Sequence, residues 1–501
     1  MKNLINKLLI PGIIVVIIIT LFTIYSKQKT QANGNSSKNA LTTINALTKL
    51  LSEKSPYFDM NKDRVVRKID SVITLIDSKK THTETELFNT IEHIISELGD
   101  RHALVKTLNP PKDKKRYYLP FALAPLQKNR VIALQQLPKL KYSFYLKNYP
   151  FLTAIEGEDI VKFIYRQDVS NKYAPSSSRL SLGVEKMNEF YQINHDFNLG
   201  DSIKLTFSDK DKVKDTILYI SLIDYKTKWR ELNIHFPIQE KTKESYNSLQ
   251  TTYDNDIAYI KIPEMFDVSN NKLFFKWLSE YMNTIKNSNG LIIDIRNNSG
   301  GKRDLINFFS NYFIKPDNYS IANYATYKPE LTPIIQESLN KRSLYQLNHF
   351  DIHLQKSIEQ KTPSKLKDYS NDLGYSDLYY MVLKHNDAFD NYYFYNKPVY
   401  ILINEKTFSA ASVFASSFKG LDNITIAGVK TDGSSGLAQS YELNGFELKF
   451  SHMLSFQKNG DLFDGIGTEP DLKITRSIDQ ILGHDDHQLN ALLTKIPQNH
   501  N

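Results

Sequence analysis

At 501 residues the chain has room for about three domains. Its 19 glycines and 18 prolines, with 41% hydrophobic and 24% charged residues, exclude collagen-like and Gly/Pro-rich disordered classes. The net charge of +8 (63 Lys plus Arg against 55 Asp plus Glu) is mixed along the chain without a basic stripe, so no nucleic-acid partner is expected. With no cysteine, disulfides, Cys-based zinc sites, iron–sulfur clusters and a thiol nucleophile are ruled out.

Lys2 and Lys7 precede an uncharged, mostly apolar run over residues 8–25. At 1.5 Å per residue this run reaches about 27 Å, enough to cross a bilayer, so 1–25 reads as a transmembrane signal anchor with the N-terminus in the cytoplasm. A cleaved signal peptide is the alternative, although no small-x-small cleavage site follows Tyr25. The expected location is the cell envelope, membrane-anchored, with the folded part outside the cytoplasm (periplasmic or extracellular). Residues 26–39 are polar and read as a tether.

Apolar residues at helical spacing (Leu41, Ile44, Leu47; Val66, Ile69, Val72, Ile73, Ile76; Leu87, Ile91, Ile94, Ile95) predict a helical module over 40–110. Pro and charge punctuation at 109–115 marks its end. From 116 to 240, short apolar runs broken by polar turns predict a β-rich domain. Strand-like runs alternating with helical patterns over 250–485 predict an α/β domain, interrupted by a Tyr- and Asn-rich insertion at about 315–396. Residues 486–501 read as a polar C-terminal tail.

Two stretches of the α/β domain have chemical potential. The strand Leu291-Ile292-Ile293-Asp294-Ile295 runs into Arg296-Asn297-Asn298-Ser299-Gly300-Gly301, a turn that exposes backbone N–H groups at a strand end. The bland reading is an ordinary strand-to-loop turn. The second stretch places Ser409 at a predicted helix start, where Ala410 supplies an adjacent N–H and the helix dipole favours developing negative charge. Alternatively, Ser409 is a simple N-cap. No Gly-x-Ser-x-Gly elbow occurs, which disfavours an α/β-hydrolase.

Together these stretches resemble the carboxyl-terminal processing (tail-specific) serine peptidase family, including its tricorn-like branch. Asp294-Ile295-Arg296-Asn297-Asn298-Ser299-Gly300-Gly301, Thr407-Phe408-Ser409-Ala410-Ala411, Tyr259-Ile260-Lys261-Ile262-Pro263 and Gly465-Ile466-Gly467-Thr468-Glu469-Pro470-Asp471 are similar to that family's motifs. The resemblance implies an α/β, crotonase-like (ClpP/crotonase) peptidase core. Tyr149 to Ile160 and Leu199 to Phe207 resemble strands of a PDZ domain, a module that binds an extended peptide by strand addition.

The resemblance further implies Ser409 as nucleophile and the N–H groups of Ala410 and Gly300 or Gly301 as oxyanion donors. The Lys of the family's Ser-Lys branch is replaced by Ser434, leaving Lys430 nearby as the alternative base for Ser409 if it reorients. Glu97-Leu98-Gly99-Asp100-Arg101-His102 resembles the tricorn-like segment and nominates His102 as general base, with Asp464 standing where that scheme has an orienting Glu. His484-Asp485-Asp486-His487 has metal-capable atoms but reads as a solvated loop, so no metal or cofactor is expected.

The implied function is an exported serine endopeptidase acting on peptides or unfolded proteins near their C-termini through an acyl-enzyme, with a homo-oligomer as one possible state. The competing reading is a non-catalytic peptide- or lipid-binding protein on a degenerate core, motivated by Ser434, Ser412 and Asp464 at departures from the family pattern.

Overall fold

The computed structural model describes residues 35–108, 117–187, 202–231, 241–328, 330–370, 374–385 and 392–497. The apolar run at 8–25 and most of the tether lie outside these residues. Among the described residues no helix is long and apolar enough to cross a membrane.

Helical structure starts earlier than the tether reading allowed. Asn35–Ser36 pairs with Thr81–His82, and a helix begins at Ser37, capped by the Ser36 hydroxyl. The helices Ser37–Lys54, Lys62–Asp77 and Glu84–Ser96 each bury one stripe, the last opened by a Thr83/Glu86 capping box. The stripes do not close on one another alone. They share a core with Ile321, Tyr324, Tyr380, Leu448 and Phe456 from far downstream, and the strand Leu104–Thr107 joins Phe446–Ser451 and Ala438–Leu443 in a three-stranded antiparallel sheet.

The β-rich module is an antiparallel sheet in the order Asp215–Ile220, Ile203–Ser208, Phe151–Ile155, Arg130–Gln136, Ala122–Leu126. Helices Ile160–Gln167 and Ser176–Met187 pack on one face through Phe163, Ile164, Leu180 and Val184.

The site is organised by a six-stranded sheet. Ile257–Lys261, Gly290–Asp294, Val399–Ile403, Ile424–Gly428 and Leu472–Lys473 run parallel, with Gln250–Tyr253 antiparallel at one edge. Gly290–Asp294 and Val399–Ile403 are buried on both faces, which is why they appear in the sequence as continuous apolar runs. Aromatic helices cover the sheet: Lys272–Thr284, Asp304–Phe313 and Ala410–Phe418 contribute Phe274, Trp277, Phe308, Phe309 and Phe414 to one core.

The insertion is integral to this body, because its strands Ser320–Tyr327 and Tyr379–Leu383 pair with each other and Ser320–Tyr327 also pairs with Met453–Gln457. The expected polar tail is also corrected. Helix His487–Leu493 buries Leu489 and Leu492 against Ile257, Ile292 and Leu402. Asp486 closes a buried ion triad: Arg296, 1% exposed, donates to both Asp294 and Asp486. The charged residues of the Asp294-x-Arg296 motif therefore anchor the strand end to the C-terminal helix, and His484 faces Asp479.

Candidate active site

Three loops leave the carboxyl ends of adjacent parallel strands and converge, as ligand-binding loops do in open α/β sheets. After Gly290–Asp294 comes the Asn297–Gly301 turn, after Val399–Ile403 comes Ser409, and after Ile424–Gly428 comes Ser434.

Ser409 caps helix Ala410–Phe418 at φ 52°, ψ −127°, a strained conformation for a residue with a side chain. A nucleophile-elbow-like bend is therefore present without its glycine-flanked signature. Part of its room comes from Gly300: at φ +98°, a Cβ there would lie 2.6 Å from Ser409 Cβ and 2.9 Å from Ala410 N. Strand-end backbone and helix start are thus in van der Waals contact.

His102 arrives from the N-terminal module, 307 residues away in sequence, and its Nε2 lies 3.3 Å from Ser409 Oγ. Its position is built from neighbouring groups. Asp100 accepts from His102 N–H and from the Ser451 N–H and hydroxyl, tying the turn to the three-stranded sheet. Arg101 forks onto Asp432 and reaches Asn171, and the Phe408 ring packs on the imidazole with centroids 5.1 Å apart.

Behind the imidazole stands a residue that the sequence reading did not assign to the site. Ser434 Oγ lies 2.6 Å from His102 Nδ1 and 3.0 Å from Asp464 Oδ1. Asp464 is joined to the imidazole through Ser434, whose hydroxyl fills the gap left by the shorter acid. With Nδ1–H donating to Ser434 and the Ser434 O–H donating to Asp464, Nε2 is left as the acceptor facing Ser409; this tautomer is assigned from the network. Asp464 Oδ1 also accepts from Arg101 N–H at 2.9 Å.

Burial, together with the Arg342, Lys449 and Arg101 cations, pushes the His102 pKa down to about 4 against the opposing pull of Asp464. Burial and then the neighbouring Asp464 push the Asp100 carboxyl up. Asp100, His102 and Asp464 bring possible ligand atoms within 4.8 Å of one another, but their polar atoms are directed at the N–H and hydroxyl partners just described.

The remaining sequence candidates separate cleanly. Lys430 turns outward to Glu469 Oε1 at 2.9 Å. The Gly300 N–H is engaged by Asn298 Oδ1 at 2.9 Å, which removes it from the expected oxyanion pair. Gly301 is exposed, and its bridge to Met265 uses the neighbouring Gly300 carbonyl and Lys302 N–H, leaving its own N–H and that of Ala410 as the candidate donors.

A serine on a strained helix cap, facing a histidine backed by a hydroxyl and a carboxylate, is the nucleophile arrangement of a serine-type hydrolase. Residues 256–474 match the model of Peptidase family S41. Similar solved structures include mature CPAF (16% identity, TM-score 0.63, covering 92% of this chain and 97% of that one). Mature CPAF complexed with lactacystin is similar to the same degree (16% identity, TM-score 0.62, 92% and 98% covered). At these identities the likeness is one of fold. An uncharacterized protein of Chlamydia muridarum (strain MoPn / Nigg) is 32% identical over 84 residues, which span 16% of this chain and 14% of that relative.

Proposed function

We propose that this peptidase is an exported, membrane-anchored serine endopeptidase that cleaves peptides or unfolded proteins near their C-termini through an acyl-enzyme. The observation that carries the catalytic assignment is the 3.3 Å approach of His102 Nε2 to Ser409 Oγ at a strained helix cap. Ser409 Oγ attacks the scissile carbonyl carbon while its proton passes to His102 Nε2. The N–H groups of Ala410 and Gly301 hold the oxyanion. The tetrahedral intermediate expels the amine, which takes the proton from His102, and water attacks the resulting ester with the same imidazole as base. Ser434 and Asp464 orient the ring and stabilise its charged form.

The core is read as crotonase-like and the β-rich module as PDZ-like. In that module the strand Ala122–Leu126 lies at the sheet edge beside helix Ser176–Met187. Just before that strand, the Thr227 hydroxyl donates to the Leu119 and Phe121 carbonyls at 2.8 and 2.9 Å. Export and anchoring rest on the apolar run at 8–25 behind Lys2 and Lys7.

Casein hydrolysis by the full chain in detergent, comparing wild type with Ser409→Ala, tests the activity. Turnover lost in the variant is expected; no turnover by wild type, with peptides still bound, would replace this reading with that of a binding protein.

A further inference from the structure

Arg101, next to the imidazole in sequence, ties together the loops that carry nucleophile, base and acid. Its backbone N–H donates to Asp464 Oδ1 at 2.9 Å. Its guanidinium forks onto Asp432, Nε to Oδ1 at 3.1 Å and Nη2 to Oδ2 at 2.8 Å, while Nη1 donates to Asn171 Oδ1 at 2.7 Å. Asp432 lies two residues before Ser434, and its own N–H donates to the carbonyl of Thr407, two residues before Ser409. The guanidinium carbon also sits 5.9 Å from the centroid of the Phe408 ring, the ring that packs on His102. Asn171 belongs to the turn between helices Ile160–Gln167 and Ser176–Met187 of the β-rich module. It is held there by donating from Nδ2 to Asp168 Oδ1 at 2.8 Å.

The side chains of Arg101 and Asp432 are each 6% exposed. A buried ion pair loses about as much in hydration as it recovers in attraction, so stability alone does not account for it. What a two-point fork supplies is direction: a planar guanidinium on a carboxylate fixes both groups where a single hydrogen bond would leave rotation. Direction matters at Asp464, because the same oxygen, Oδ1, accepts from the Arg101 N–H at 2.9 Å and from the Ser434 hydroxyl at 3.0 Å. A shift of the backbone at Arg101 therefore moves the acceptor on which Ser434, and through it the imidazole, is aligned.

We infer that Arg101 is a positioning residue for the peptidase reaction: its clamp on Asp432 and Asn171 holds its backbone N–H against Asp464, so that Asp464 Oδ1 meets the Ser434 hydroxyl and through it aims His102 at Ser409. The inference rests on the peptidase reading and extends it, since through Asn171 the β-rich module becomes part of the scaffold that sets the base.

The test is a double-mutant cycle on the full chain in detergent, read as the second-order rate of fluorophosphonate labelling at Ser409, which reports activation of the nucleophile without peptide binding. Arg101→Met should lower the rate about 30-fold, less than the whole contribution of a placed general base. Arg101→Lys, which keeps the charge but not the fork, should lose less. Because Arg101→Met leaves Asp432 buried without its cation, Asn171→Ala, which removes only the Nη1 acceptor, is run beside it with an expected loss of about threefold, and Tm is followed throughout. In Ser434→Ala the link from Asp464 to the imidazole is already cut, so both substitutions should there change the rate by less than about twofold. General loosening of the fold would instead multiply with the Ser434 loss. Losses that multiply in the Ser434→Ala background, or single variants that label at the wild-type rate, would overturn the inference. A wild type that does not label at all would sink the peptidase reading itself, and this inference with it.

Discussion

The Ser434 hydroxyl sits between His102 Nδ1 and Asp464 Oδ1, at 2.6 and 3.0 Å, and joins two residues that chain order separates by 362 positions. It turns an apparent defect, a serine where a lysine is expected, into the link that lets a short acid steer the base. Ser434→Ala should lower kcat roughly 100-fold through loss of ring orientation, with a smaller effect on KM. Ser434→Thr, which keeps the hydroxyl, should recover part of the loss. Equal losses in both variants would mark a packing role instead.

The pH profile follows from the surroundings of His102. A base must be neutral to accept the Ser409 proton, and the imidazole is pushed down to about 4. It becomes protonated, and activity falls, only as pH drops through that value, so the acid limb of kcat/KM should lie well below the ordinary histidine value of about 6.5. Rates measured from pH 4 to 8 check this. A limb at the ordinary value would mean that His102 is solvated or is not the base.

Gly300 should tolerate no side chain. An added methyl meets Ser409 Cβ at 2.6 Å and must adopt φ +98°. Gly300→Ala should cost about 1–3 kcal/mol in urea denaturation and displace the nucleophile enough to abolish turnover.

The ion triad makes its prediction on stability alone. Removing the Asp486 carboxylate leaves Arg296 buried with one carboxylate partner, Asp294, so Asp486→Ala should destabilise the fold by about 3–5 kcal/mol. Replacing the whole triad, Arg296→Met with Asp294→Leu and Asp486→Leu, should recover much of that loss, whereas leaving Asp294 in place would strand a buried carboxylate. Chemical denaturation of both variants decides.

The motifs that place Ser409, His102 and Asp464 were legible because each lies in a short local pattern at a strand end, a helix start or a turn. What joins them is tertiary and was not. Ser434 is visible in the sequence only as a missing lysine, since its contact depends on the turn after Ile424–Gly428 folding over a loop from the N-terminal module. Gly300 and Gly301 look equivalent until Asn298 claims one N–H. The helix His487–Leu493 is short and starts in a polar stretch, so its buried Leu489 and Leu492 give little periodic signal.

The central claim, that Ser409 is activated by His102, is tested most directly by fluorophosphonate labelling with mass mapping of the adduct, run beside casein hydrolysis for wild type, Ser409→Ala, His102→Ala and Lys430→Ala. The account predicts an adduct on Ser409, loss of labelling and hydrolysis in the Ser409 and His102 variants, and near wild-type behaviour for Lys430→Ala. Undiminished labelling in Ser409→Ala, or loss of activity in Lys430→Ala with His102→Ala still active, would contradict it.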